Sequence, residues 1–323
     1  MTAGRAVVTG VAGQDGSYLA ESLLKDGYEV VGMDREAALG GSPNLLSLRD
    51  SLEFIPFDLC EHDTVRAALL AVGADDIYHL AAPTFVPDSW SDPTQTVSAI
   101  AGGTATVLAA ALAANPRPRV WVAASSEVFG DAGESPQSER SPMRPRSPYG
   151  VAKLAALGLV RTMREHHGLF ASTGVTYNHE SPRRPPHFLP RKVTRAAAAI
   201  SLGQADELVL GDLGAVRDWS DARDVVRAAR LALRAQQPDD FVIASGVGRT
   251  VRELVETAFA AAGLEGPIER WVRVDEQFVR PAEPTPLVGD ASHARSALGW
   301  EPEISFEEMI GAMVRADLEE LSA

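Results

Sequence analysis

Tyr149 and Lys153 stand four residues apart, a spacing that puts both side chains on one face of a helix. An ammonium beside a phenol stabilises the phenolate, which gives a base usable near neutral pH. Lysine occurs only at Lys25, Lys153 and Lys192; arginine fills the other basic positions. A lysine kept at 153 is informative, because arginine cannot replace one that must tune a tyrosine. Ser125-Ser126-Glu127 follows an apolar run at 119–123. The Ser125 hydroxyl can hydrogen-bond a substrate oxygen whose proton Tyr149 takes, and Glu127 offers a second acid/base. The bland alternative is a turn with a solvated glutamate and a YxxxK that arose by chance.

Gly10, Gly13 and Gly16 form a GxxGxxG turn between an apolar run at 6–8 and a helical stretch at 17–25. Glycine lets backbone approach a pyrophosphate, and a helix N-terminus offers N–H donors and a favourable dipole. Gln14 and Asp15 lie inside this turn and count with it as cofactor-facing. A second strand at 28–33 ends at Asp34, where a carboxylate accepts from an adenosine ribose 2′-hydroxyl and favours NAD. Arg35 follows and would neutralise a 2′-phosphate, favouring NADP. The choice is NAD(P), tipped slightly to NAD by Asp34 and Glu36.

The elements that must hold these residues alternate. Strands read at 52–57, 76–80, 119–123 and 173–177, with helices at 63–72 and 104–114 between them. That pattern predicts an α/β, Rossmann-like doubly wound parallel sheet. After about residue 178 the pattern changes, with a Pro/Arg-rich loop at 181–192 and a helix at 193–203. A smaller C-terminal substrate-binding lobe is expected from 179–323. The dinucleotide-binding part is 1–178, with segments near 224–246 and 286–298 returning to it.

The chain has 323 residues and a formal net charge of −14. An acidic surface argues against nucleic acid and against anionic membranes as partners. The apolar run 105–114 is too short to span a bilayer. One cysteine, Cys60, excludes an intrachain disulfide and a Cys-based metal site, and reads as a small core-edge residue. No metal site is expected. The N-terminus enters a strand pattern at once, so a cytoplasmic protein without a signal peptide is expected.

The phrases TGVAGQDGSYLAE, ASSEVFG, PRSPYGVAK, YNHESPRR, RDW and RPAE resemble the extended short-chain dehydrogenase/reductase family, and within it the GDP-mannose 4,6-dehydratases. The resemblance runs from about residue 5 to about 318. It implies a nucleotide-sugar 4,6-dehydratase, a lyase that makes a 4-keto-6-deoxy sugar. Under it Tyr149 is the base at C4 and Lys153 holds the nicotinamide ribose. Ser125 bonds the C4 oxygen, and Glu127 takes the C5 proton and expels the C6 hydroxyl. Asp58 and Leu59 would flank the adenine, and Ala81 and Ala82 the cofactor. Ser126, Asn178, Arg191, Lys192, Arg217, Arg280 and Glu283 are the expected nucleotide-sugar contacts. A homodimer through helices near 104–114 and 148–166 is implied, with 181–192 extending it to a homotetramer.

This chain departs from the family at Asp34-Arg35-Glu36-Ala37, where a basic loop is usual, and at Pro185 and Pro186. Its residues 84–90 look more like the corresponding loop of 4-keto reductases. Two rivals remain at this stage. A C4 epimerase or 4-keto reductase shares Ser125, Tyr149 and Lys153 but leaves Glu127 without a task. A non-catalytic dinucleotide-binding protein has no need of that trio.

Overall fold

The computed structural model describes residues 3–275, 277 and 285–322. β1 (Arg5–Thr9) leads through the glycine turn to α1 (Gln14–Lys25) and β2 (Glu29–Asp34). α2 (Glu36–Gly41) precedes β3 (Glu53–Pro56), α3 (His62–Val72) and β4 (Asp76–His79). α4 (Asp88–Ser91) and α5 (Pro93–Val97) lead through a π turn, Ser98–Gly102, into α6 (Gly103–Ala113). β5 (Arg119–Ala123), α7 (Pro148–His167) and β6 (Ala171–Thr176) complete the alternation. β7 (Asn178–Glu180), α8 (Leu189–Ser201), β8 (Leu208–Leu210) and β9 (Val216–Asp221) leave the sheet. α9 (Ala222–Ala232) and β10 (Asp240–Ile243) return to it. β11 (Gly248–Thr250), α10 (Val251–Ala261), β12 (Val272–Val274), α11 (Ser292–Leu298) and α12 (Phe306–Ser322) follow.

The main sheet has seven strands in the order β10-β6-β5-β4-β1-β2-β3, every pair parallel. Helices cover both faces, so strand residues such as Val7, Val31 and Val122 are buried. Chain direction across the sheet reverses between β1 and β4. A crevice opens there at the strand C-termini, and the glycine turn, Ala81 and Ser125 all leave the sheet at that end. A three-stranded sheet, β11-β9-β7, and a β12-β8 pair belong to the smaller lobe. Trp219, Phe259, Ile310 and Met313 are buried in its core, beneath α8, α10 and α12.

Three expectations need correction. The helix read at 104–114 begins much earlier: Pro93–Ala113 is one helical run of 21 residues, long and apolar enough to cross a membrane. Half of it is buried in the fold, where α6 packs on α3 and α7. Thr, Gln and Ser interrupt the apolar pattern at its start, but Asp92 caps it and Pro93 suits a first helical turn. Second, α8 starts at Leu189, inside the stretch read as loop. Third, Cys60 is exposed; it sits in a turn where its amide donates to Asp58 Oδ1 at 2.8 Å.

The lobes are joined at the start of α1. His179 Nε2 lies 2.8 Å from Asp15 Oδ2, and its Nδ1 lies 2.7 Å from the Tyr177 carbonyl. Both partners are acceptors, so the geometry suits an imidazolium with two donors. Ser181 Oγ donates to Gln14 Oε1 at 2.8 Å, and Arg183 Nη1 donates to Ser17 Oγ at 3.0 Å while its guanidinium stacks on Tyr18. Burial acts most strongly and raises the Asp15 pKa, but the His179 charge and hydrogen bond, with the Gln14 hydrogen bond and the Arg184 charge, together outweigh it and hold the carboxyl below its usual range. Burial acts to lower His179, and Asp15 outweighs that too, so the imidazole is raised.

The sign of the pH dependence follows. Asp15 contributes stability above its unfolded pKa and loses it as pH falls through its depressed folded value. His179 contributes fully below its unfolded pKa and loses the contribution as pH rises through its raised value. Asp15→Asn is therefore expected to lower Tm most near pH ~5, where both groups are charged, by the equivalent of about 2 kcal/mol. The loss should shrink once His179 deprotonates. Thermal melts across pH check this, and an equal loss at acid and alkaline pH would contradict it.

Candidate active site

Ser147 caps α7: its side chain accepts from Gly150 N at 3.0 Å, and Pro148 occupies the first turn. Tyr149 and Lys153 follow one helical turn apart, both buried. The helix start presses against the Ser125–Val128 turn. A Cβ on Gly150 would lie 2.6 Å from the Glu127 carbonyl oxygen, so glycine is required for that approach. Ser125 ends the loop after β5 and caps the short 3-10 turn that carries Ser126 and Glu127. Ser126 is buried and Glu127 half-buried.

Lys153 Nζ donates to the Ala123 carbonyl at 2.7 Å and lies 5.8 Å from the Tyr149 ring centre. Burial pulls its pKa down to about 8, against the Asp15 carboxylate, which raises it. Burial pushes the Tyr149 phenol up to about 12. The Ser125 hydroxyl, hydrogen-bonded to that phenol, and the Arg184 charge act to lower it, while Glu127 and Asp15 raise it. Ser125, Glu127, Tyr149, Lys153 and Asp15 therefore converge on one place, as an acid/base set must. His79, buried nearby, bonds Thr9 Oγ1 at 2.9 Å and is pushed down to about 3 by burial and by Lys153, so it is neutral.

The glycine turn suits a dinucleotide. Gly13 caps α1 and Gly13 N donates to Gly10 O at 3.0 Å. A Cβ on Gly16 would sit 2.2 Å from Gly10 O, and one on Gly10, at φ +75°, would meet Ala81 N at 2.8 Å. The turn is closed so tightly that a side chain at Gly10 or Gly16 would meet backbone. Asp34 ends β2 with Oδ2 accepting from Ala12 N at 3.0 Å and Oδ1 from Arg35 N at 2.8 Å. Burial raises its pKa in spite of these bonds. Leu59 packs on α6, where a Cβ on Gly103 would come within 2.8 Å of its Cδ2, and Asp58 beside it is exposed. Ala81 N bonds Thr9 Oγ1 at 3.2 Å, and Ala82 follows, half-buried. These groups fit a nicotinamide dinucleotide along the strand ends.

The expected sugar-nucleotide contacts are dispersed. Asn178 opens β7, half-buried. Arg217, on β9, donates to the Val216 carbonyl, and Lys192, on α8, to the Val209 carbonyl. Arg191 is a correction. It donates to Asp317 Oδ1 at 2.8 Å, pairs with Glu320 and bonds the Pro182 carbonyl, so it ties α8 to α12 instead of facing a substrate. A buried guanidinium needs such partners, and the helix-to-helix match is invisible to local pattern. Arg280 and Glu283 lie outside the described residues. Reading by motif missed His179 and Arg184 as neighbours of the reacting set; the clustering of His, Glu and Arg within 179–184 was the available signal. Among the described residues no His/Cys/Asp/Glu group could hold a metal ion.

The family model described as GDP-mannose 4,6 dehydratase matches residues 7–313. A relative from Arabidopsis thaliana, GDP-mannose 4,6 dehydratase 2, is 38% identical, with 97% of this chain and 87% of that protein aligned. Among solved structures, the dTDP-glucose 4,6-dehydratase DesIV of Streptomyces venezuelae, with NAD and TYD bound, superposes with TM-score 0.83 at 26% identity, covering 98% of each chain. RMD from Pseudomonas aeruginosa, complexed with NADPH, superposes with TM-score 0.80 at 25% identity, covering 98% of this chain and 99% of that one. These neighbours hold either dinucleotide, so a nicotinamide dinucleotide is the cofactor class. A family match over residues 7–313, with 38% identity along nearly the whole length, makes this chain, whose Ser125, Glu127, Tyr149 and Lys153 gather at the open strand ends, a member of the GDP-mannose 4,6-dehydratase family.

Proposed function

We propose that the enzyme removes water from a nucleotide-diphosphohexose, GDP-mannose by its relatives' names, to form the 4-keto-6-deoxy sugar. The observation that carries this reading is Glu127: a carboxylate two residues from Ser125, in the turn whose backbone packs against Gly150 next to Tyr149. The glycine turn and Asp34 would hold the dinucleotide, whose oxidised nicotinamide would supply an acceptor for the C4 hydride and a donor for its return at C6.

The chain's own groups do the rest. Ser125 holds the C4 oxygen, and Tyr149 takes its proton. Lys153 keeps an ammonium below the phenol and so favours phenolate. A ketone at C4 makes the C5 proton acidic, and Glu127 takes it. The same carboxyl, now protonated, gives a proton to the C6 hydroxyl as it leaves. A C4 epimerase on this scaffold has no use for that step.

For the cofactor, Asp34 supports NAD: its carboxylate, fixed by two backbone amides, would bond a ribose 2′-hydroxyl and repel a 2′-phosphate. For assembly, the reading includes a homodimer in the cytoplasm. The apolar face of α6 is spent in the core. Trp90 on α4, Val97 on α5 and Val151 on α7 are 65%, 42% and 50% exposed, and their helices adjoin one another. Exposed apolar side chains grouped like this favour a protein interface.

Four outcomes are expected. With GDP-mannose in a panel of nucleotide sugars, mass spectrometry should find a product lighter by one water. Glu127→Gln should slow water loss by about 10²–10⁴-fold while reduced nicotinamide builds up, and Tyr149→Phe should show no such absorbance; a near-normal dehydration rate in Glu127→Gln would remove Glu127 from the mechanism. Titration should find NAD bound at least as tightly as NADP, with Asp34→Ala shifting the ratio toward NADP by about tenfold; an NADP preference in the unmodified protein would overturn the role of Asp34. Light scattering should give twice 34.4 kDa, falling to the single mass in Trp90→Asp with Val151→Asp; a 34.4 kDa species in the unmodified protein would contradict the dimer.

A further inference from the structure

Among the described residues, Glu180 has both carboxylate oxygens buried and neither in a hydrogen bond. It is 1% exposed, at the end of β7. A buried carboxylate is costly unless paired and hydrogen-bonded, and an apolar side chain of similar size would serve packing better. What Glu180 does have is one ion pair: Oε2 lies 3.1 Å from Arg184 Nε. The guanidinium is held on its face as well, 3.7 Å from the centre of the Phe188 ring. Phe188 in turn meets Phe85, from the loop after β4, edge-on at 5.5 Å. Arg184 is thus gripped from two sides, at the junction of both lobes.

The held charge acts through space on groups of this site, on Tyr149 and on the Asp15–His179 pair. The phenol is also faced by the Ser125 hydroxyl, the Lys153 ammonium and the Glu127 and Asp15 carboxylates. Glu180 is faced by Arg184, His179 and Asp15. Both of the carboxylates beside the phenol oppose its ionisation, so a cation kept close matters. We infer that Glu180 is a positioning residue for C4 oxidation, anchoring the Arg184 guanidinium so that its charge stays beside the Tyr149 phenol. This rests on the dehydratase reading for the step it serves, though the anchoring itself does not.

The test uses the full chain with its cofactor, and the variants Glu180→Gln and Glu180→Asp. Dehydration is followed across pH. In Glu180→Gln the limb on which kcat rises with pH should move up by about one unit, making the enzyme about tenfold slower below it. KM should hold, and the rate should recover above the limb. Glu180→Asp should restore the limb toward its original place. A role confined to folding would lower Tm and depress the rate equally at every pH. NMR of the Arg184 guanidinium, assigned with Arg184→Lys, supplies a readout free of activity: rotation restricted in the unmodified protein and released in Glu180→Gln. An unmoved limb, or a guanidinium still restricted in Glu180→Gln, would overturn the inference. If the unmodified protein dehydrates no nucleotide sugar, the dehydratase reading fails and the NMR result alone decides whether Glu180 anchors Arg184.

Discussion

A lysine ammonium buried beneath the ends of the sheet is the constraint around which this site is arranged. Lys153 gives its hydrogen bond to the Ala123 carbonyl, and that carbonyl is available because β5 ends there. The ammonium is 5% exposed, and burial has already drawn it down to about 8. At about 8 it remains a cation at neutral pH, and the Asp15 carboxylate acts to raise it. Asp15, in turn, is held ionised by His179 from the other lobe. The charge that supports the phenol thus depends on the first turn of α1, the end of β5 and the strand that leaves the sheet after β6.

The same dependence explains the glycines. Gly150 lets α7 start against the Glu127 carbonyl, which brings Tyr149 to the Ser125 hydroxyl. Gly16 lets α1 start against Gly10, which brings Asp15 in from above the crevice. Neither approach tolerates a methyl group, so the geometry of the acid/base set rests on close backbone contact as much as on the reacting side chains. With burial pushing its phenol up to about 12, Tyr149 is protonated at neutral pH.

Much of this was legible in the sequence, where a local period or motif marks it. The parallel strands are short apolar runs, the glycine turn has its own spacing, and Ser125, Tyr149 and Lys153 follow from one helix face and one strand end. What was not legible depends on distant partners. Arg191 belongs to Asp317, and His179 to Asp15, more than a hundred residues away in each case. The early start of the α5–α6 run was hidden because Pro93, Thr94 and Gln95 break the apolar pattern, while Asp92 supplies a cap that composition alone undervalues. The short β7, three residues long, carries no period to read, yet it delivers Asn178, His179 and Glu180 to the crevice.

The central claim is that one chain oxidises C4, eliminates across C5–C6 and closes the cycle at C6 within a single site. A nucleotide sugar deuterated at C4 tests it most directly, with NMR of the product. The account predicts deuterium at C6 of a 4-keto-6-deoxy sugar, with a solvent proton at C5. Deuterium retained at C4 of an intact hexose, or lost to the medium, would contradict it.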